Sequence, residues 1–318
     1  MRVHRCGKFG LAATDSELQR IGAPTAVGLG NFDGVHLGHR MLIGELIRRS
    51  GAKGLKSVIY TFDIHPLQLL PTTRKILSLM DDRQKNRILA PIGVDMVCYD
   101  HFDTAYANMS PEEFVRTVLI GRLNAKIVVA GFNYRFGHHG AGTAEQLVDF
   151  GKRFGFTVII IPPYRINGIE VSSTYIRSML EEGRVREIPN YLGRLYTLDG
   201  MVQPGLKKGR SIGIPTANLV PNRQRMVPEP GVYITSARIG KEREIRRSLT
   251  SIGNNPTVGV LREIVIETYI LGFEQEIYET EIEIFFHDRI RGVVKFDSME
   301  ALQAQIKRDV VRAEQFFM

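Results

Sequence analysis

Apolar positions in the first half of the chain fall in short dense runs, separated by longer stretches with helical spacing. Thr25–Leu29, Ser57–Phe62, Met96–Tyr99, Lys126–Ala130 and Thr157–Pro162 are strand-length and rich in β-branched residues, so they read as strands. Amphipathic stretches between them predict helices over Leu37–Arg49, Arg83–Ile92, Pro111–Leu119 and Thr143–Phe154, the third opening with proline in its first turn. This alternation predicts a parallel sheet with helices on both faces. Ligands of such sheets sit beyond the carboxyl ends of the strands.

The pattern changes after Gly183. A short helix over Val185–Leu192 leads into strand-like segments at Leu195–Val202, Gly231–Ile239, Ser248–Ile252, Ile264–Leu271 and Glu281–Phe286, with glycine and proline turns between them. That pattern predicts a compact antiparallel barrel. A last helix is expected from about Ser298 to Phe316, with Asp297 and Glu300 as a capping box and Leu302, Ile306 and Val310 turned to the barrel. The boundary belongs near residues 184–194, giving domains 1–184 and 185–318.

Bulk properties agree with two soluble domains. The chain has 318 residues, 43% of them hydrophobic and 24% charged. Apolar runs such as Val158–Ile161 are far too short to span a bilayer, and the N-terminus lacks a secretory core. Only Cys6 and Cys98 are present, which supports neither a disulfide framework nor a zinc cage, so the cytoplasm is the expected compartment. The net charge of +8 suits acidic ligands. Its clusters mix signs, as in Arg243-Glu-Ile-Arg246-Arg247, and lack interleaved aromatics, so neither a nucleic acid nor a membrane partner is expected.

The first chemical signal follows the first strand: Gly28-Leu-Gly30-Asn31-Phe32-Asp33-Gly-Val-His36-Leu-Gly-His39. Glycines at 30, 34 and 38 permit tight turns and close approach of a ligand to the backbone. His36 and His39 are three apart at a helix start, where free N–H groups and the helix dipole favour an anion. Taken alone, the pair is open to three readings: a capping coincidence, half of a metal site, or two imidazoles stabilising charge on phosphate. The Gly-rich strand–turn–helix setting favours the third, and other nucleotide fingerprints are absent. Further along, Gly131-Phe-Asn133-Tyr-Arg-Phe136 ends a strand, and Ser172-Ser173-Thr174-Tyr-Ile-Arg177 opens a helix with hydroxyls and an arginine one turn on.

The β-rich half opens with Gly205-Leu-Lys207-Lys-Gly209-Arg-Ser-Ile-Gly213-Ile-Pro-Thr216-Ala-Asn218, a basic glycine flap suited to phosphates. Thr216 and Asn218 offer hard oxygen ligands for Mg²⁺. Along Ile264–Leu271, Glu267 shares a face with Val265, Tyr269 and Leu271, so partial desolvation should make it a better base. An ion-paired structural glutamate is the competing reading. Glu281 and Glu283, which alternate with isoleucines, read as a solvated face.

Together these stretches, with Thr61-Phe62-Asp63 and His65-Pro66, resemble the prokaryotic bifunctional FAD synthetases, the riboflavin kinase/FMN adenylyltransferase family. The resemblance extends through Gly231-Val-Tyr233, Ile252-Gly-Asn-Asn-Pro-Thr257 and Arg291 to Phe296, nearly the whole chain in the family's domain order. It implies a Rossmann-like nucleotidyltransferase domain that joins AMP from ATP to FMN, then a six-stranded barrel that phosphorylates riboflavin. It implies His36, His39 and Glu267 as catalytic residues. ATP contacts are implied at Gly30, Asn31, Phe32, Asp33, Asn133, Ser172, Ser173, Thr174 and Arg177 in the first half. Those in the second half are Gly205, Lys207, Gly209, Gly213, Thr216 and Asn218, the last two with Mg²⁺. Flavin contacts are implied at Phe62, Asp63 and Arg291. ATP, riboflavin and FMN would be the substrates, and FMN and FAD the flavin products. The sequence departs from the family at Ile64, Asn133-Tyr134, Pro204, Tyr269 and Glu279. The kinase-half departures motivate an alternative in which the barrel is a non-catalytic flavin-binding or regulatory module. A basic RNA-binding barrel is a third reading, carried only by charge and β pattern.

Overall fold

Strand β2 (Thr25–Leu29) is buried along its whole length and lies at the middle of a six-stranded parallel sheet. The other strands are β1 (Arg2–Arg5), β3 (Lys56–Phe62), β4 (Met96–Asp100), β5 (Ala125–Gly131) and β6 (Thr157–Ile161), in the order β1-β4-β3-β2-β5-β6. The computed structural model describes residues 1–5, 23–63, 76–204, 214–222, 224–255 and 263–318. It divides into two compact units, Met1–Ser173 and Thr174–Met318.

Alternation along the strands builds two cores. Ala26, Ile59, Val97 and Val129 face helix α1 (Leu37–Lys53) and helix α2 (Asp82–Leu89), meeting Leu42, Ile43, Leu46 and Leu89. Gly28 makes that contact close: a Cβ there would lie 3.0 Å from Leu46 Cδ2 and 3.2 Å from Ile59 Cδ1. The opposite face carries Val27, Val58, Cys98 and Val128 against Phe114, Val118 and Leu119, and against Leu147 of helix α3 (Ala144–Phe154). The expected helix from Pro111 is one α-turn, Pro111–Glu113, with a Ser110/Glu113 capping box, continued by a π-helical stretch over Phe114–Arg122. Arg122, the last residue of that stretch, gives buried Asp100 two bonds of 2.6 and 2.8 Å.

The second unit begins with helix α4 (Ser173–Glu181, whose first residue is assigned to the first unit) and the short helix α5 (Ile188–Leu192). A closed antiparallel barrel follows, formed by β9 (Tyr196–Gln203), β10 (Ala217–Leu219), β11 (Gly231–Ile239), β12 (Ile245–Asn255), β13 (Glu263–Ile270) and β14 (Glu281–Arg291). A two-stranded ribbon in the first unit accounts for β7 (Arg165–Ile166) and β8 (Ile169–Glu170). Ile266, Ile270, Ile282, Ile284 and Phe286 are fully or almost fully buried. Among them runs a ladder of buried hydroxyls, Ser248–Thr235–Thr250–Thr268, with spacings of 2.8, 2.9 and 3.0 Å, each oxygen satisfying the next.

Helix α6 (Met299–Phe316) covers the outside of β11 and β12, where Val310, Ala313 and Phe317 meet Val232, Ile234 and Leu249. Its cap is Ser298, whose side chain accepts from the Ala301 N–H, and not the expected Asp297: extended backbone at Ser298 places its hydroxyl over the first turn. Asp309 turns inward from α6 and accepts 2.8 and 3.1 Å bonds from Arg291 at the end of β14. Glu283 departs from the expected solvated face, since Arg238 pairs with it at 3.2 Å and its side chain is only 13% exposed.

Candidate active sites

From β2 the chain builds outward to β3 and β4, then crosses to the other side of β2 to form β5. The sheet's switch point therefore lies between the carboxyl ends of β2 and β5, the place where sheets of this kind bind ligands. Both loops beside it carry residues singled out in the sequence. After β2, Gly30 to His36 runs through Phe32 at φ 49°, Gly34 at φ 84° and Val35 at φ 41°. A left-handed β-branched valine is strained, and such strain persists only where the surroundings fix it. Here the fixing is visible. Asp33 is buried, and its two carboxylate oxygens accept from the Leu79 N–H at 2.9 and 3.1 Å, while Thr61 donates to the Asn31 carbonyl at 3.1 Å. Ser173 donates 2.8 Å to the Asp33 carbonyl, tying the segment from Ser172 to the same loop. Phe32 has its ring fully buried, so only its backbone is offered to a ligand. On the β5 side of the switch point, Asn133 is exposed on the turn that follows the strand.

His36 caps α1. Its Nδ1 accepts from the His39 N–H at 3.3 Å, and the two rings stack with centroids 3.6 Å apart and planes 18° apart. A neutral His36 bonded this way carries its proton on Nε2, as a donor. Burial, then the His36 ring and the Lys85 ammonium, hold His39 well below the ordinary imidazole range. Lys85 is itself buried on α2; burial pulls its ammonium down while Asp82, Asp33 and Asp81 hold it up. The site is thus a stacked imidazole pair at a helix N-terminus with a buried cation nearby, an arrangement that favours phosphate oxygens.

At the carboxyl ends of β3 and β4 the packing is aromatic. Phe62 sits 5.3 Å from Phe102 and 5.1 Å from Tyr106, both edge-on. Beneath them Tyr106 and Tyr60 hydroxyls meet at 3.0 Å, and Tyr60 donates to Asp100, the carboxylate clasped by Arg122. Burial pushes both tyrosines well above their ordinary values, so they remain neutral donors. Asp63 accepts from His101 at 2.9 Å.

In the barrel, Glu267 lies with Val265 and Tyr269 on the outer, half-exposed face of β13, while Ile266, Thr268 and Ile270 fill the interior. Register places Asn218 of β10 directly opposite Glu267, with Ser251 of β12 on its other side. Side chains facing each other across antiparallel strands have Cβ atoms about 4.5–5.5 Å apart. The sequence gives no hint that two residues 49 positions apart should be cross-strand neighbours. Thr216 immediately precedes β10. The flap residues Gly205, Lys207, Gly209 and Gly213, along with His65, Pro66 and Thr257, lie outside the described residues.

Residues 18–175 match the family model for FAD synthetase, and residues 192–317 match the model for riboflavin kinase. The chain belongs to the bifunctional riboflavin kinase/FMN adenylyltransferase family. Proteins of that name from Listeria monocytogenes and Escherichia coli are 37% and 32% identical to it, each over 91% of both chains. The one from Bacillus subtilis is 33% identical over 93% of both. A crystal structure from Streptococcus pneumoniae, described as a macrolide-efflux protein, superimposes with a TM-score of 0.86 at 32% identity, covering 99% of each chain. Among the described residues no helix is long and apolar enough to cross a membrane.

Within this family frame, the FAD synthetase match encloses the histidine pair, Asn133, Ser172, Ser173 and Thr174, and ends two residues before Arg177. The riboflavin kinase match encloses Thr216, Asn218, Glu267 and Arg291. Arg291 is engaged by Asp309, with Nη1 3.2 Å from the Gly292 carbonyl, and so anchors α6 to β14. Lys85, His101, Tyr106 and the Asp100–Arg122 pair stand in no local sequence motif. For His101 a signal existed, since it follows β4 at the edge where ligands bind.

Proposed function

We propose that the sheet unit transfers AMP from ATP to FMN and that the barrel transfers the γ-phosphoryl group of ATP to riboflavin. In the first reaction an FMN phosphate oxygen attacks the α-phosphorus of ATP and pyrophosphate leaves. His36 Nε2 and the His39 ring supply donors where negative charge gathers, and the N–H groups at the start of α1 add to them. Gly30 to Asp33, Asn133, Ser172 and Ser173 hold the nucleotide at the switch point; the resemblance assigns ATP contacts to Thr174 and Arg177 as well. Phe62 and Asp63 receive the flavin. The observation that carries this reading is the stacked, helix-capping imidazole pair at the switch point.

In the second reaction Glu267 takes the proton from the riboflavin 5′-hydroxyl, whose oxygen attacks the γ-phosphorus, and ADP leaves. Thr216 and Asn218 fit Mg²⁺ because they are uncharged oxygen donors, and Asn218 stands on the same half-exposed face as Glu267. The metal would neutralise charge on the ATP phosphates. The flap at Gly205, Lys207, Gly209 and Gly213 would cover those phosphates, and Arg291 would lie on the flavin side. Incubation with riboflavin and MgATP, with FMN and FAD separated by chromatography, tests the assignment. Both products should form at turnover, and FMN formation without FAD, or neither product, would defeat it.

A further inference from the structure

The carboxyl ends of β3 and β4 are adjacent and in register, with Phe62 opposite Asp100. One residue on, Asp63 and His101 meet: Asp63 Oδ2 lies 2.9 Å from His101 Nδ1, and the Asp63 N–H bonds the Asp100 carbonyl at 3.1 Å. Both side chains are about a quarter exposed, at 26% and 27%. A carboxylate only accepts, so Nδ1 must carry a proton, and the ring orientation is fixed. His101 Nε2 makes no hydrogen bond among the described residues. On the neighbouring positions Phe62 and Phe102 form an edge-on aromatic pair, so the polar dyad and the apolar wall stand side by side. An imidazole oriented by a carboxylate, with its far nitrogen uncommitted at the ligand edge of a parallel sheet, is a poised hydrogen-bonding group.

We propose that His101 is a flavin-specificity residue of the adenylyl transfer, hydrogen-bonding an uncharged polar group of FMN, a ribityl hydroxyl or a ring carbonyl, with Asp63 as its positioning residue. The inference rests on the reading that flavin packs at Phe62. Position in the sheet selects the uncharged part of the substrate. β4 lies two strands from β2, about 10 Å at the usual strand spacing. The reacting phosphate must stand beside the histidine pair after β2, so the end of β4 meets the ribityl chain or the ring. A contact held equally in the ground and transition states, the role assigned to His101, raises KM without lowering kcat when it is lost.

Steady-state FAD formation from FMN and MgATP by the full chain tests this. His101→Phe keeps the ring size and removes both nitrogens. KM for FMN should rise about threefold to tenfold, the loss of one neutral hydrogen bond, with kcat and KM for ATP within twofold. His101→Gln, whose amide reaches the Nε2 position, should restore KM for FMN, which a packing role would not permit. Asp63→Asn should raise KM for FMN as His101→Phe does. A fall in kcat at unchanged KM for FMN would place the contact on the reacting phosphate and overturn the proposal, as would unchanged kinetics or failure of His101→Gln to rescue. Phe62→Ala separates the two levels. If it leaves KM for FMN unchanged, the flavin placement itself fails; if it raises KM while His101→Phe does not, only the role of His101 fails.

Discussion

Substituting Gly38 by Ala tests whether the position of the His36 ring controls adenylyl transfer. Gly38 is the second residue of α1. A Cβ built there stands 3.2 Å from both Cε1 and Nδ1 of His36 and 3.4 Å from the Val171 carbonyl. The ring must yield by a few tenths of an ångström. It cannot do so freely, because His39 is stacked against it at 3.6 Å. The displacement strains the 3.3 Å bond from the His39 N–H to His36 Nδ1, a contact whose net worth is about 0.5–1.5 kcal/mol. Alanine in a helix gains up to about 1 kcal/mol over glycine. The two nearly offset, so stability should stay within about 1 kcal/mol of the parent. Catalysis has no such compensation, since misplacing a group by about 1 Å can cost about a hundredfold. FAD formation from FMN and MgATP should therefore fall about threefold to tenfold, the share of that cost expected for a few tenths of an ångström. In the same preparation FMN formation from riboflavin should be unchanged and the urea midpoint nearly so. FAD formation within twofold of the parent would refute the reasoning; loss of both activities would mean that the substitution acts on folding instead.

Three further outcomes follow from the same geometry. Arg122→Met strands the buried Asp100 carboxylate, which loses two bonds of 2.6 and 2.8 Å, and should destabilise the first unit by about 3–5 kcal/mol in urea unfolding; a change below about 1 kcal/mol would show the pair to be dispensable. Burial and the neighbouring charges depress His39, so the folded state resists its protonation while the unfolded chain accepts a proton below about pH 6.5. Stability from this group is full above that pH and is lost as the pH falls toward the folded value, by about 1 kcal/mol between pH 7.5 and 5.5; His39→Gln should lose that part of the slope, and an unchanged slope would remove His39 as its source. Thr250→Val cuts the hydroxyl ladder between Thr235 and Thr268 and should cost the barrel about 1–3 kcal/mol, read as a lower urea midpoint for the second unit; a neutral result would mean that its neighbours find other partners.

Strand alternation in the first unit was readable because buried parallel strands are dense in β-branched residues; β2 has the expected limits, Thr25–Leu29, and β3 to β6 lie within a residue of theirs. β1 was missed: Arg2–Arg5 has one aliphatic residue and owes its strand state to pairing with β4. The π-helical stretch was also missed, since the sequence period does not reveal that Arg122 is drawn to Asp100. Local motifs exposed the histidine pair because its chemistry lies within four consecutive residues. Cross-strand neighbours such as Asn218 and Glu267, and the dyad of Asp63 and His101, exist only after the sheets form. Composition carries no trace of them.

The central claim is a division of labour between two units that each handle ATP phosphates. Its most direct measurement is the product spectrum of His36→Ala and Glu267→Ala, each given riboflavin and MgATP, with FMN supplied in a second arm. His36→Ala should accumulate FMN and make no FAD in either arm, whereas Glu267→Ala should make no FMN yet convert supplied FMN to FAD. Equal loss of both products in either folded variant, or continued FAD synthesis by His36→Ala, would contradict the account.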